Sequence, residues 1–279
     1  MDDIVKVEWL QKELKKSEHN YVIIDVRFQL ANPEAGKQVY KEAHIPEAVY
    51  IDLENDLSSA VREHGGRHPL PDLNEFAEKL GRIGIGKDTN VIVYDDQGGM
   101  VASRLWWLLK HLGHSNVAIL DGGFSKWVSK GYEVTKNIPV NTSKTFLVQI
   151  SDEWAYVNAN QVKERLNHPD TVLIDSRESN RYFGWEEPID TIAGHIPGAV
   201  NYFWKNVLNE NGLWKDNEEL KENFSEVLHS KEIIVYCGSG VSACPNVLAL
   251  KKAGYSNVKL YAGSWSDWIT HEDFPIARK

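Results

Sequence analysis

Short apolar runs rich in Val and Ile recur along the chain, and stretches with helical spacing of apolar residues separate them. Runs of this length and composition are typical of strands buried on both faces of a parallel sheet. The predicted strands are Val22–Ile24, Val91–Tyr94, Val117–Leu120, Val172–Ile174, Ile233–Tyr236 and Val258–Tyr261. The predicted helices are Val7–Ser17, Leu73–Leu80, Val101–Leu112, Glu218–Leu228 and Asn246–Ala253. Strands that alternate with helices predict an α/β fold, with helices flanking a mainly parallel sheet.

The strand-like blocks occur twice, in the same order. NYVIIDVR, AHIPEAV, NVIVYD and SNVAILDGGFSKW in the first half match DTVLIDSR, GHIPGAV, EIIVYC and SNVKLYAGSWSDW in the second. An internal repeat of this kind indicates two copies of one domain in tandem. We predict domains at residues 1–138 and 152–279, joined by a linker at 139–151 in which Phe146–Ile150 could pair as an edge strand.

The repeat separates residues shared by both copies from residues found in one. Shared residues are predicted to be structural, although several are of catalytic types. They are Asp25, Arg27, His44 and Trp127 with their counterparts Asp175, Arg177, His195 and Trp268. Cys237 aligns with Asp95, so only the second copy carries a thiol at this position. The second copy is therefore expected to hold the chemistry.

Cys237 opens the run CGSGVSAC, which lies between a predicted strand and a predicted helix. Backbone N–H groups of such a loop can form an anion-binding nest, and the helix adds its positive N-terminal end. Both effects favour a reactive thiolate, although a cysteine after an apolar strand could also be structural. We expect Gly238, Gly240, Val241 and Ser242 to line the substrate site.

Comparison of this loop in the two copies leads to two further expectations, one for the first-copy loop and one for the second cysteine. The first-copy loop, Asp95–Gly99, is expected to repel an anion because it is acidic. Cys244 could resolve an oxidised Cys237, but a buried helix cysteine is the favoured interpretation.

Composition narrows the class of protein. The chain of 279 residues is 42% hydrophobic and 25% charged, which is ordinary for a globular protein. Its net charge of −9 argues against nucleic acid and against an anionic membrane surface as partners. With two cysteines, no basic and apolar leader after Met1 and no apolar run of membrane-spanning length, we expect a cytoplasmic protein. We expect neither a metal nor a cofactor.

The paired DxR and HIPxAV blocks, with a cysteine loop only in the second half, resemble the tandem-domain rhodanese sulfurtransferases. Loops of the form CG(S/T)GVTA are typical of the 3-mercaptopyruvate type, and CRKGVTA of the thiosulfate type; here Ser242 replaces the threonine. The resemblance implies that Cys237 takes sulfur from 3-mercaptopyruvate as a persulfide, releases pyruvate, and passes the sulfur to thioredoxin, a small thiol or cyanide.

The resemblance also assigns a substrate anchor. Arg181 stands in RYFG ahead of Glu186-Glu187-Pro188 and matches the family block whose arginine binds the substrate carboxylate. Without the resemblance, a surface ion pair would be the simpler interpretation of this arginine. Animal enzymes of the mercaptopyruvate type have a second arginine after this block. Here the segment is shorter and reads Ile189-Asp190-Thr191, so that second arginine is missing.

A proton relay is implied by the same comparison. His68, in RHPLP, matches the histidine of the family's HMLP-type motif, and Ser239 matches the serine with which it acts. The acidic member falls on Glu54, with Asp52 as the alternative. The relay is expected to cross from the first half to the second. A solvated loop histidine is the alternative for His68.

Three other functions are alternatives to sulfur transfer from 3-mercaptopyruvate. A Cys-x5-Arg phosphatase is excluded because Ala243 stands where the arginine would be, and Tyr236 rather than histidine precedes Cys237. A thiosulfate:cyanide sulfurtransferase would share the fold and differ in the donor. A non-catalytic persulfide-binding module would fit the first copy but not the second.

Overall fold

The repeated strands form two parallel sheets in the computed structural model, which describes residues 1–16, 20–227 and 230–279. In the first sheet the order is β1-β5-β4-β2-β3, and in the second it is β6-β10-β9-β7-β8. All neighbouring strands run parallel. The first sheet comprises β1 (Ile4–Lys6), β2 (Tyr21–Asp25), β3 (Ala48–Tyr50), β4 (Asn90–Tyr94) and β5 (Val117–Asp121). The second comprises β6 (Tyr156–Val157), β7 (Thr171–Asp175), β8 (Val200–Asn201), β9 (Glu232–Tyr236) and β10 (Val258–Tyr261). The predicted α/β fold with two similar sheets is confirmed.

The helices connect the strands, as parallel pairing requires. In the first copy they are α1 (Val7–Glu13), α2 (Glu34–Glu42), α3 (Leu73–Arg82), α4 (Met100–His111) and α5 (Gly123–Ser129). In the second they are α6 (Ala159–Lys163), α7 (Ser179–Phe183), α8 (Asn217–Asn223), α9 (Cys244–Lys252) and α10 (Ser264–Trp268). Short 3₁₀ turns lie at Asp152–Trp154, Trp204–Val207 and Ser225–Val227. Ser17 and Leu228, where two predicted helices were expected to end, lie outside the described residues. None of the described helices is long and apolar enough to cross a membrane.

The predicted edge strand at Phe146–Ile150 was wrong. These residues have no regular secondary structure, and Leu147 and Ile150 are exposed. The Gln149 N–H donates to the Leu112 carbonyl at 3.0 Å, which ties the segment to the end of α4 rather than to a sheet. The sheet edges are instead formed by strands of two or three residues, which are too short to show a periodic pattern.

Two compact units divide the chain, and each takes one segment from the other half of the sequence. The first unit contains residues 1–59, 71–151 and 210–214. The second contains residues 60–70, 152–209 and 215–279. The segment 60–70 therefore belongs with the copy that carries the thiol, although residues 71–151 separate the two in the sequence.

Residues shared by both copies have matching structural contacts. Arg27 and Arg177 each pair with the aspartate two residues earlier in the chain, and each donates to a loop carbonyl at 2.6 and 2.7 Å respectively. His44 and His195 each place Nδ1 within 2.8 Å of a carbonyl of the preceding helix. These contacts are local and hold each sheet to its connecting loop. They support the interpretation that the paired histidines and arginines are structural.

Candidate active site

Cys237 lies directly after β9, at the start of the loop that leads into α9. The side chain is buried, and its Sγ accepts a hydrogen bond from the Gly240 N–H at 3.2 Å. Gly240 has a φ of +76°, and a β-carbon there would lie 2.1 Å from the Ala262 carbonyl oxygen. Only glycine satisfies both constraints, so Gly240 fixes the turn that brings an N–H to the sulfur.

The first copy shows what this loop can bind. Asp95 occupies the position of Cys237, and its buried carboxylate accepts hydrogen bonds from four backbone N–H groups at 2.8 to 3.0 Å. The donors are Gln97, Gly99, Val101 and Ala102. Burial raises the pKa of the Asp95 carboxyl even though these four bonds act in the opposite direction. The loop is thus a nest for an anion, and in the first copy the chain's own carboxylate fills it. The first-copy loop was expected to repel an anion, but the structure shows that the Asp95 carboxylate already occupies its anion-binding nest.

The same loop in the second copy has no such carboxylate. Within the described residues, the backbone N–H groups of Ser239, Val241, Ser242 and Ala243 have no protein acceptor. Three of the four donors to Asp95 have their counterparts at Ser239, Val241 and Ala243. The loop that begins at Cys237 therefore offers unpaired backbone donors.

Ser264 contacts the backbone of Cys237. It is fully buried at the start of α10, with a φ of +56° that is unusual for a residue other than glycine. Its Oγ accepts the Cys237 N–H at 3.0 Å and donates to the Tyr261 carbonyl at 2.8 Å. The repeat held a signal for it, because Gly123 stands at the matching position with the same φ. Only the copy with the thiol carries a side chain there.

His68 and Ser239 are in contact. Nδ1 of His68 lies 2.8 Å from Oγ of Ser239, and both side chains are buried. The segment that bears His68 is held on α10, where the Gly65 N–H donates to Asp267 at 2.7 Å and the Arg67 N–H donates to Ser266 at 3.1 Å. Because this segment belongs to the second unit, His68 and Ser239 meet within one compact unit, although they come from different halves of the sequence.

The candidate acidic members of the relay, Glu54 and Asp52, both lie in the first unit. The Glu54 side chain is exposed. The Asp52 carboxylate accepts the backbone N–H groups of Glu54 and Asn55 at 3.0 and 2.9 Å, and the Tyr50 hydroxyl at 3.1 Å. Asp52 thus caps its own turn. The acidic relay member stays a prediction.

Arg181 projects from α7 into a cluster of carboxylates. Its Nε and Nη2 donate to Glu187 at 2.8 to 3.1 Å, and Nη2 also donates to Asp190 at 2.8 Å. Nη1 faces the catalytic loop, where a β-carbon on Gly238 would lie 3.5 Å from it. Arg181 therefore lies beside the loop, and Nε and Nη2 of its guanidinium are already engaged by carboxylates.

A second guanidinium, overlooked in the sequence, lies on the same side of the loop. Arg67 donates from Nη1 to the other oxygen of Asp190, and its Nη2 would lie 3.0 Å from a β-carbon on Gly238. Burial lowers the pKa of Arg67, and the nearby Arg181 acts in the same direction. The absence of a side chain at Gly238 leaves room for both guanidinium groups.

In the part of the chain that the structure describes, one group of His and Asp side chains has the spacing of metal ligands. Ligand atoms of His64, Asp267 and His271 all lie within 4.8 Å of one another. The two imidazole rings, however, stack with centroids 4.2 Å apart and planes 6° from parallel. Nitrogen lone pairs lie in the ring plane, so stacked rings do not direct them at one point. His64 also contacts the Thr270 hydroxyl at 2.7 Å, and the group serves to attach the loop 60–70 to α10.

Cys244 is the first residue of α9 and is fully buried. Its Sγ lies 3.4 Å from the Gly240 carbonyl oxygen and donates to it. Both cysteines are free thiols. The position supports the structural interpretation of Cys244.

A scan against protein-family models matches the rhodanese-like domain twice, at residues 6–130 and 158–271. The chain is 42% identical over 272 residues to a "Probable 3-mercaptopyruvate sulfurtransferase" of Pseudomonas aeruginosa, covering 96% of this chain and 95% of that protein. It is 33% identical over 274 residues to the thiosulfate sulfurtransferase of Gallus gallus, covering 95% and 93%. Among solved structures, SseA from Escherichia coli, a 3-mercaptopyruvate sulfotransferase, superposes with a TM-score of 0.81 at 32% identity, covering 95% of this chain and all of that one.

Proposed function

The chain belongs to the rhodanese family, and from this premise we propose that it is a sulfurtransferase that moves sulfur from 3-mercaptopyruvate through a Cys237 persulfide to an acceptor. Relatives named for either donor match nearly the whole chain, so the donor must be argued from the site. The observation that carries the choice is the His68–Ser239 hydrogen bond, which lies beside the nucleophile.

The first half-reaction uses the thiolate of Cys237. It attacks the sulfur of 3-mercaptopyruvate, a bond forms between Sγ and that sulfur, and the bond from sulfur to C3 of the donor breaks. The electron pair of the broken bond leaves with C3 as the enolate of pyruvate. The proton of the donor thiol is taken up by the Ser239–His68 pair and returned to the enolate carbon, giving pyruvate and an enzyme persulfide.

The loop and the arginine supply binding and charge stabilisation. The Gly240 N–H donates to the sulfur, and the unpaired N–H groups of Ser239, Val241, Ser242 and Ala243 in the same loop are available to stabilise anionic forms of the donor or the persulfide. Gly238 leaves space for the donor beside Arg181, whose Nη1 faces that space and anchors the donor carboxylate. His68 and Ser239 are needed because 3-mercaptopyruvate carries a thiol proton, whereas thiosulfate does not.

The second half-reaction returns Cys237 to its thiolate. A nucleophile attacks the outer sulfur of the persulfide, so that a thiol leaves as its own persulfide and cyanide leaves as thiocyanate. We propose a thiol acceptor such as thioredoxin or a small thiol, with cyanide as a laboratory acceptor. A free catalytic thiol and a thiol acceptor fit the cytoplasm.

Intact mass spectrometry tests the proposal. The wild-type chain mixed with 3-mercaptopyruvate should gain one sulfur atom and release pyruvate. Cys237→Ser should gain none, and Cys244→Ser, the matched control, should keep turnover within a few-fold. A dead Cys244→Ser with an active Cys237→Ser would overturn the assignment of the nucleophile.

The donor is tested by kinetics. We expect kcat/KM for 3-mercaptopyruvate to exceed that for thiosulfate by at least about tenfold, a difference of ~1.4 kcal/mol in transition-state stabilisation. Equal values would assign the chain to the thiosulfate type.

A further inference from the structure

Arg67 and Arg181 are held side by side although both carry positive charge. The Asp190 carboxylate lies between them and accepts Nη1 of Arg67 at one oxygen and Nη2 of Arg181 at the other. The Asp190 side chain is 3% exposed, and those of Arg67 and Arg181 are 29% and 15% exposed. A buried carboxylate that bridges two guanidinium groups reduces their repulsion and fixes their spacing.

Each guanidinium keeps one terminal nitrogen directed at the catalytic loop. These are Nη2 of Arg67 and Nη1 of Arg181, the atoms nearest to the missing β-carbon of Gly238. Within the described residues neither nitrogen has a protein acceptor, and Nε of Arg67 is buried without one. Two adjacent donors with positive charge, beside a glycine and the nucleophilic loop, match the two oxygens of a carboxylate.

We propose that Arg67 is the second anchor for the carboxylate of the sulfur donor, acting together with Arg181. This inference rests on the proposed function and identifies a binding residue for it. Arg67 supplies the second guanidinium that is missing from Ile189-Asp190-Thr191. It comes from a segment far away in sequence, and Asp190 is the positioning residue that holds the pair together.

The arrangement also explains why a glycine stands at position 238. Any side chain at this position would meet Nη2 of Arg67 at 3.0 Å or less and would fill the space that a carboxylate needs.

Steady-state kinetics with 3-mercaptopyruvate test the proposal through Arg67→Gln. Loss of a charge-assisted anchor should raise KM about 10- to 100-fold and leave kcat within about threefold. Arg67→Lys should recover part of the loss, because it keeps the charge and loses the planar fork. Arg62→Gln is the matched control: it removes the same charge from the same loop at an exposed position and should change KM less than twofold.

A second measurement does not depend on turnover. Pyruvate should protect Cys237 of the wild type from alkylation by iodoacetamide, and Arg67→Gln should weaken this protection at least about tenfold, in line with loss of a charge-assisted hydrogen bond. If the chain failed to accept sulfur from 3-mercaptopyruvate, this protection would still report on the anchor. Unchanged KM and unchanged protection in Arg67→Gln would overturn the proposal, as would an equal fall in kcat with both 3-mercaptopyruvate and thiosulfate.

Discussion

Replacing Ser264 should separate two effects that the structure combines at one buried residue. The hydroxyl accepts the Cys237 N–H and donates to the Tyr261 carbonyl, while the backbone adopts a left-handed conformation that disfavours a β-carbon. Ser264→Ala removes the hydroxyl and keeps the strain. Ser264→Gly removes both.

The magnitudes follow from these contacts. A buried N–H left without an acceptor costs about 1–3 kcal/mol, and the lost bond to Tyr261 costs about 1 kcal/mol. Ser264→Ala should therefore lower the free energy of unfolding by about 2–4 kcal/mol. Ser264→Gly should lower it by about 1 kcal/mol less, because glycine relieves the left-handed strain.

The two cysteines provide an assay specific to the second unit, since the chain has no others. Alkylation of the buried Cys244 by iodoacetamide at increasing urea concentration, read by mass spectrometry, reports when this unit opens. A difference of 1 kcal/mol should separate the midpoints of the two variants by roughly 0.3–1 M urea.

Gly123→Ser is the reciprocal exchange in the first copy. It should be strongly destabilising, because its β-carbon would lie 2.1 Å from the Asp95 carbonyl oxygen.

Two results would refute the reasoning. A Ser264→Ala variant at least as stable as Ser264→Gly would show that the left-handed backbone carries no strain. If both variants had the same urea midpoint as the wild type, the bond from the Cys237 N–H to Ser264 would not contribute to stability.

The remaining predictions concern the site. Ser239→Ala and His68→Ala should each lower kcat with 3-mercaptopyruvate by roughly 10–10⁴. The double variant should be little worse than the worse single; additive losses, or equal losses with thiosulfate, would exclude a relay. Arg181→Ala should chiefly raise KM for 3-mercaptopyruvate, and a change confined to kcat would contradict its role as an anchor. Gly238→Ala should raise KM because its β-carbon would lie 3.0 Å from an Arg67 nitrogen; an unchanged KM would show that this space is not used. Asp95→Asn should destabilise the first unit by about 1–3 kcal/mol, because an amide cannot accept four N–H groups. Urea unfolding measures this loss, and a wild-type free energy of unfolding in Asp95→Asn would contradict the prediction.

Comparison of the two copies was the most productive sequence argument. It predicted that the chemistry lies at Cys237 and that the shared histidines and arginines are structural, and the matching contacts of the shared residues support the second prediction. The same comparison also points to Ser264, because Gly123 stands at the matching position of the first copy. Both residues have a φ of +56°, and only Ser264 carries a side chain. Its role could not be read from composition because φ is a property of the folded backbone.

The sequence by itself determined the α/β class and the tandem repeat and predicted Cys237 as the nucleophile, because each depends on local pattern: apolar runs, repeated blocks, and glycines in a loop between a strand and a helix. Only the tertiary structure decided which distant residues meet at the loop. It places residues 60–70 with the second unit and sets Arg67 beside Arg181 across Asp190, and it shows the contact between His68 and Ser239 that only the family resemblance had implied. Such pairings depend on packing between segments far apart in the chain. No local periodicity encodes them, so an arginine next to His68 could not be distinguished from a surface charge until its neighbours were known.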